Sequence, residues 1–304
     1  MKLKNSDGMQ LVFLFLQALF LSFGGMIFPF LYLFLPAPFL TTSRTDGPII
    51  PLAIFGAVCL SMGLLVTPVA GLLIFTLFGP LILTLDYAIR RELPVDTTIW
   101  MAALITVIAM AVAAYTTGFL AEIQSGAFVR ELMAVEESMV EEGLIPGNLG
   151  FSLSQWADQS LSLLPAAAVL FSLLISYTSF AMTGRRMFLR GVIIRQPNPF
   201  PLMSLPRGIT GFSLLLVAVL YLLGEQMGEP ISLLAANGMV ILTGVLFFQG
   251  LSVLDFFLIG FLSSSWLRTV LLIFLLMMPG VQIVVTFLGL IEVVFPLRRR
   301  IRRM

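Results

Sequence analysis

Residues 231–260 read ISLLAANGMVILTGVLFFQGLSVLDFFLIG, a run in which Asp255 is the only charged side chain. About 20 consecutive apolar residues are enough for a helix to cross the roughly 30 Å hydrocarbon core of a bilayer. Lipid cannot satisfy free backbone groups, and the run lacks the alternating pattern of a barrel strand, so it predicts a membrane-spanning helix. Of the 304 residues of the chain, 59% are apolar and 11% are charged, whereas about a quarter of the residues in soluble domains are charged. We therefore expect an all-α, polytopic membrane helical bundle.

Seven other apolar stretches lie before and after this run in the chain. They cover residues 11–41, 49–66, 69–89, 97–121, 161–182, 209–224 and 269–295. The first stretch is too long for one span and contains Gly24, Gly25, Pro29, Pro36 and Pro38. Because proline removes a backbone donor and glycine loosens a helix, this stretch predicts a broken pair of short helices. The whole chain is then one integral membrane domain (1–304) with about eight to nine membrane segments.

The composition excludes several chemistries. The chain contains no histidine, its only lysines are Lys2 and Lys4, and Cys59 is its only cysteine. A histidine-based triad, an HExxH zinc site and a Walker A lysine are therefore absent, and no disulfide framework can form. No pair of acids has a spacing that demands acid–base catalysis. We expect a protein that is not an enzyme, with no catalytic residues, cofactor or metal.

Charge asymmetry predicts the orientation. Residues 183–208 carry five arginines and no acid, whereas residues 122–160 carry seven acids and one arginine. By the positive-inside rule the first segment is a cytoplasmic basic loop, and the second is extracytoplasmic. Within 122–160, apolar residues at helical spacing predict an acidic amphipathic helix over 127–143 that stops at Gly143 and Pro146, followed by a loop. The N-terminus is then cytoplasmic, provided that the opening stretch crosses twice.

The arginine-rich tail at 298–304 conflicts with a simple count of spans. Three further crossings after the basic loop would place this tail outside, which the positive-inside rule disfavours. Pro279 and Gly280 lie in the middle of the last apolar stretch. Either this stretch enters and returns as a re-entrant hairpin, or another segment does not span.

A polar stripe interrupts the apolar run 231–260. Asn237 and Asp255 are five helical turns apart and share a face, with Ser252 on that face and Gln249 at its margin. Ionisable groups inside spans are costly and mark candidate functional sites, so these four residues form a candidate solute-binding site. The alternative is a structural hydrogen bond or ion pair, for instance between Asp255 and Arg268.

Two other acids lie close to the ends of apolar stretches. Asp86 precedes Arg90 by one turn, a spacing that permits a local ion pair, and Glu292 lies two turns before the arginine tail. We interpret Asp86, Arg90, Arg268 and Glu292 as interfacial or ion-pair residues.

The order of short motifs resembles the YybS-like bacterial membrane proteins, a domain family of unknown function. The segments that carry the resemblance are LPAPFLTTSRTDG (35–47), FVRELMAVEESMVEE (128–142), LPAAAVLFSLLISY (164–177), FPLMSLPRG (200–208), FFQGLSVLDFF (247–257) and FLGLIEVVFPLRRR (287–300). The family usually has an acid, an aromatic residue and a second acid before its basic tail. Here Glu292 matches the first acid, whereas Phe295 and Pro296 replace the later pattern. The resemblance implies a core similar in outline to the substrate-binding S components of energy-coupling-factor transporters, whose first spans are also short and broken.

The sequence thus favours a non-enzymatic, multi-pass protein of the bacterial inner membrane. The leading hypothesis is a transporter component that binds a small solute, and the alternative is a structural or scaffold partner of a membrane complex. The expected partners are the lipid bilayer and either a small solute or another subunit. Nucleic acid is not expected, because the basic loop lacks a folded basic surface with stacking aromatics.

Overall fold

A computed structural model describes residues 8–141, 153–205, 207–278, 280–295 and 297–298. These ranges contain only helices and connecting segments, without a β-strand. The α-helices are α1 (Gly8–Ile27), α2 (Pro36–Asp46), α3 (Ile49–Leu65), α4 (Pro68–Arg90), α5 (Val95–Thr116), α6 (Phe119–Gln124), α7 (Ala127–Glu141), α8 (Leu153–Ser162), α9 (Leu164–Leu189), α10 (Arg207–Met227), α11 (Glu229–Leu258), α12 (Ser265–Met277) and α13 (Val281–Val294). Two short 3₁₀ helices cover Pro29–Phe34 and Phe200–Leu202.

Helix length and composition support the membrane class. Five helices among the described residues, α1, α4, α5, α9 and α11, are long and apolar enough to cross a bilayer. Shorter apolar helices lie at Ile49–Leu65, Thr210–Gly224, Ser265–Leu275 and Val281–Val294. The predicted all-helical class is confirmed, and these helices fit a polytopic membrane bundle, whereas the count of eight to nine membrane segments stays a prediction.

The opening stretch is broken where its glycines and prolines lie. Helix α1 ends at Ile27, and Pro29 and Pro36 begin the 3₁₀ helix and α2, where a missing N–H costs little. The chain then folds back on α1 so closely that a Cβ built on Gly25 would lie only 2.5 Å from the Tyr32 ring. The Tyr32 hydroxyl donates to the Ser22 carbonyl at 3.3 Å, which fastens the turn to α1.

The chain forms two compact units. The first unit comprises Met1–Leu161 and Phe171–Pro197, and the second comprises Ser162–Leu170 and Asn198–Met304. The core of the first unit is built by α1 to α5 and α9. Its fully buried side chains include Phe39, Phe55, Leu81, Leu85 and Ile175.

The second unit is organised around α11, which packs against α10 and α13. Helices α11 and α13 approach closely at two glycines. A Cβ on Gly289 would lie 2.0 Å from the Leu246 carbonyl oxygen, and a Cβ on Gly250 would lie 1.9 Å from that of Val285. Even the Cβ of alanine would not fit at these two positions, so the contact requires glycine. Small residues in general allow membrane helices to approach closely.

Several helix and loop boundaries in the structure differ from those predicted. The basic segment 183–208 is not all loop, because α9 continues to Leu189 and α10 begins at Arg207. The charged arginines at the end of α9 were assigned to the loop, and the helix was therefore predicted to end too early. The acidic segment contains α6 and α8 in addition to the predicted amphipathic helix, which is α7. The predicted stop at Gly143 and Pro146, and tail residues 299–304, lie outside the described residues.

Candidate functional site

The polar stripe of α11 does not converge on one place. Asn237 and Asp255 are 18 residues apart on one helix, which separates them by about 27 Å at 1.5 Å per residue. A small solute cannot reach both residues, although both are buried. The spacing puts the two residues on one helical face, but distance along the axis divides the stripe into separate groups.

Asn237 joins α11 to the start of α9. Its Oδ1 accepts from the Ala166 amide at 2.9 Å, and its Nδ2 donates to the carbonyls of Ser162 and Leu233 at 2.9 and 3.0 Å. The Ala166 amide lies in the first turn of α9, where backbone donors lack helical partners. Asn237 therefore supplies a helix cap, and both donors of its amide are already used.

Asp255 forms the ion pair that the sequence offered as its alternative role. Arg268 Nε lies 3.0 Å from Asp255 Oδ1, and the two side chains are 14% and 11% exposed. Arg268 also donates to the Leu262 carbonyl at 2.9 Å. These contacts hold the connection between α11 and α12 against the end of α11.

Ser252 belongs to a buried cluster that the sequence did not reveal. Arg298 is 6% exposed, and its Nε lies 2.9 Å from Oε1 of Glu292. Its Nη1 donates to Ser252 Oγ at 3.0 Å, and its terminal nitrogens also donate to the carbonyls of Pro201 and Met203, each at 2.7 Å. Arg298 thus ties the segment after α13 to the loop before α10, and Glu292 is its buried counterion, the ion-pair alternative of its predicted role.

Gln249 differs from the other members of the stripe. The residue is 1% exposed, and its Oε1 is buried without a hydrogen-bond partner among the described residues. It lies one turn from Ser252, so one acceptor beside the Arg298 cluster is left open. Of the four predicted solute-binding residues, Gln249 is the one with a fully buried side-chain atom that has no partner among the described residues.

In the first unit, Asp86 and Arg90 connect two helices. Arg90 Nε lies 2.7 Å from Asp86 Oδ2, the predicted local pair, and Ser43 Oγ donates to Asp86 Oδ1 at 2.6 Å. Arg90 also donates to the Ser43 carbonyl at 2.7 Å. The cluster thereby locks the end of α2 onto the end of α4.

A second polar feature of the first unit was not predicted from the sequence. Ser172, Ser176, Ser179 and Thr183 recur at intervals of four, three and four residues on α9, and each is 0% exposed. This spacing puts the four hydroxyls, here called the α9 hydroxyl stripe, on one helical face. The spacing is visible in the sequence, but serine and threonine are common where membrane helices pack, so such a stripe does not by itself predict a site.

The α9 hydroxyl stripe meets the broken opening segment. Ser179 Oγ donates to the Leu33 carbonyl at 3.4 Å, and the neighbouring Tyr32 bonds to Ser22. The hydroxyls of Ser22 and Ser176 are buried without a hydrogen-bond partner among the described residues. Two buried hydroxyls thus have unused hydrogen-bonding capacity in the part of the unit where the backbone is irregular.

These observations define a polytopic helical membrane protein with polar groups buried inside its bundle. Across the described ranges, no three Cys, Asp or Glu side chains are placed to hold a metal ion. The chain belongs to the family described as Predicted membrane protein (DUF2232), whose model matches residues 11–293. This family has no known function, and the match confirms the resemblance to the YybS-like membrane proteins. No curated protein and no solved structure matches the chain.

Proposed function

We propose that this protein is a non-enzymatic, multi-pass protein of the bacterial inner membrane whose first unit binds a small polar solute, as a component of a transporter. The observation that carries the proposal is the α9 hydroxyl stripe together with the unpartnered hydroxyls of Ser22 and Ser176 among the described residues. A buried hydroxyl without a partner costs about 1–3 kcal/mol in the free energy of folding. A bound ligand or water that bonds to the two hydroxyls would recover this cost.

The broken opening segment supports the same location. Irregular backbone at membrane depth is tolerated where it is buried in protein or lines a cavity, and discontinuous helices commonly build the solute sites of transporters. Here the segment from Pro29 to Phe34 presents the Leu33 carbonyl to Ser179. The solute site inferred from the sequence on α11 is therefore reassigned to the first unit, between this segment and α9.

The contacts of Arg298 support a definite membrane topology. Because Arg298 bonds to the carbonyls of Pro201 and Met203, the start of the tail and the loop 198–205 lie on one face of the second unit. An even number of crossings must then separate them, and α10 and α11 supply two. Helices α12 and α13 have 13 and 14 residues, or about 20 and 21 Å, which is short of the roughly 30 Å hydrocarbon core.

We therefore propose eight crossings followed by a re-entrant hairpin of α12 and α13, with both termini in the cytoplasm. The crossings are α1, the broken segment that ends with α2, α3, α4, α5, α9, α10 and α11. The hairpin turns near Gly280, between the two helices. This arrangement puts the basic segments around Arg44, Arg90 and Arg185, and the tail, on the cytoplasmic side, as the positive-inside rule requires.

The solute proposal is tested by thermal denaturation of the purified full-length protein in detergent against a panel of vitamins and lipid precursors. We expect at least one compound to raise the melting temperature, since a ligand that binds only the folded state stabilises it. Ser176→Ala should abolish that rise. The control is Ser61→Ala, because Ser61 Oγ bonds within its own helix to the Ala57 carbonyl. A panel without any shift, or a shift that survives Ser176→Ala, contradicts the proposal.

The scaffold role is a second candidate because α7 has an exposed apolar surface. Met133, Val135 and Val140 are 45%, 49% and 38% exposed on a helix that also carries four glutamates. A photo-crosslinking residue at position 135 should then capture one protein partner in cells, whereas the same residue at Glu137, also exposed on α7, should not.

A further inference from the structure

A cavity of about 220 Å³ lies in the first unit, and no member of the α9 hydroxyl stripe lines it. Its walls are the end of α2, the end of α4 with the two residues 92–93 beyond it, Phe180 of α9, and the segment 193–195 that follows α9. The apolar part of the wall includes Leu93, Phe180 and Ile194, and the charged part consists of Arg44, Glu92 and Arg195. This is far above the roughly 10–15 Å³ that a single water needs, and it leaves room for a tetrahedral anion with a small substituent.

Arg44 has unused donor capacity in this wall. Its Nη2 donates to the Ile89 carbonyl, which orients the guanidinium. Its Nε is buried and has no hydrogen-bond partner among the described residues. A guanidinium carries five N–H donors in a planar fork, which suits the oxygen pairs of phosphates and carboxylates. An anion oxygen would give the buried Nε the acceptor that the protein does not provide.

Arg195 provides a second guanidinium. It is exposed, and its Nη1 donates to the Glu92 carbonyl at 3.2 Å, which ties the segment after α9 to the end of α4. This contact occupies one of five donors. Two arginines from segments that are distant in sequence are thus brought to the same cavity.

The local charge remains positive. Glu92 also lines the cavity, but among the described residues its carboxylate forms no ion pair with Arg44 or Arg195. The neighbouring Arg90 is neutralised by Asp86. Two cations against one acid leave a net charge of about +1 in the wall of the cavity, which favours an anionic ligand.

We propose that this cavity binds a phosphate group, carried either by a soluble phosphomonoester or by the headgroup of a membrane lipid. Charge-assisted bonds from Arg44 and Arg195 hold the phosphate oxygens, and the apolar wall accepts the substituent. The site is separate from the solute site proposed above, so either one can fail without the other.

The soluble source is tested by titrating the full-length protein in a zwitterionic detergent with inorganic phosphate and with glycerol 3-phosphate. The lipid source is tested in nanodiscs of phosphatidylcholine with or without phosphatidic acid, by native mass spectrometry of retained lipid. Arg44→Gln and Arg195→Gln should each weaken binding about tenfold or more, the loss expected for a charged hydrogen-bond partner. The matched control is Arg91→Gln, because Arg91 lies 5.8 Å from the centre of the Tyr87 ring and does not line the cavity.

Glu92→Gln keeps the test decisive if the arginine variants fold poorly. Removing this carboxylate should tighten binding several-fold, because it removes the one negative charge in the wall. Binding of the soluble phosphates identifies a soluble ligand, and retention of phosphatidic acid alone identifies a lipid headgroup. The proposal is overturned if neither source binds, or if binding is the same in the wild type and in the Arg44, Arg195 and Glu92 variants.

Discussion

The glycine contact between α11 and α13 leads to a quantitative prediction for Gly289→Ala. The added Cβ would lie 2.0 Å from the Leu246 carbonyl oxygen, whereas an ordinary contact begins at 3.4 Å. The obstacle is backbone and cannot rotate away, so the two helices must separate by about 1.4 Å. A gap of 0.5–1 Å already forfeits a quarter to a half of a dispersion contact, so much of the packing between these helices is lost.

The expected cost is roughly 1–3 kcal/mol or more in the free energy of unfolding, as for other overpacked sites. The matched control is Gly56→Ala on α3, because a Cβ there would meet no atom within 4 Å. Alanine at that position should be neutral or stabilising by about 0.4–1 kcal/mol, since it reduces the freedom of the unfolded chain. The two variants should therefore differ by roughly 1–4 kcal/mol.

Unfolding by sodium dodecyl sulfate in mixed micelles, followed by circular dichroism, measures both variants under the same conditions. Disulfide crosslinking between cysteines introduced on α11 and α13 reports their separation directly. Equal stability of Gly289→Ala and Gly56→Ala would refute the close backbone contact and the packing of the second unit that depends on it.

Three further predictions concern charged groups and topology. Arg298→Met should lower the free energy of unfolding by about 3–5 kcal/mol because it leaves Glu292 buried without its counterion, and the double variant with Glu292→Gln should recover part of that loss in the same denaturation assay. Glu92→Gly should raise the free energy of unfolding by roughly 0.5–1 kcal/mol. Glu92 has a φ of 53°, and glycine relieves about 1–2 kcal/mol of backbone strain there, which exceeds the entropy that glycine adds to the unfolded chain. A lower free energy of unfolding in the same denaturation assay would show that this backbone is not strained. A reporter fused after Met304 should read the same compartment as one inserted after Gly191, and opposite compartments would exclude the re-entrant hairpin.

Local patterns accounted for the features that depend on nearby residues. The apolar runs predicted helices at nearly every place where the structure has a long one, and the prolines and glycines predicted the break before α2. The pair of Asp86 and Arg90 was readable because one helical turn separates its members. Helical periodicity likewise identified α7 as amphipathic. These features need no knowledge of which helices are neighbours.

The candidate sites depended on contacts that no spacing reveals. Asn237 could be placed on a face of α11, but its partner at Ala166 is 71 residues away in sequence. The tail arginine Arg298 could be assigned to a basic segment, but its burial against the Met203 carbonyl joins residues that are 95 positions apart in sequence. A single sequence records the composition of each helix and not the identity of its neighbours.

The amino-acid sequence by itself determined that this chain folds as apolar helices in a bilayer, where its opening helix breaks and which segments carry the positive charge, because these properties arise from the solvation and covalent geometry of consecutive residues. The tertiary structure alone decided that the hydroxyls of α9 face inward and that Arg44 and Arg195 line one cavity. Both outcomes depend on packing between segments that are remote in sequence, and that packing is a collective property of the whole fold.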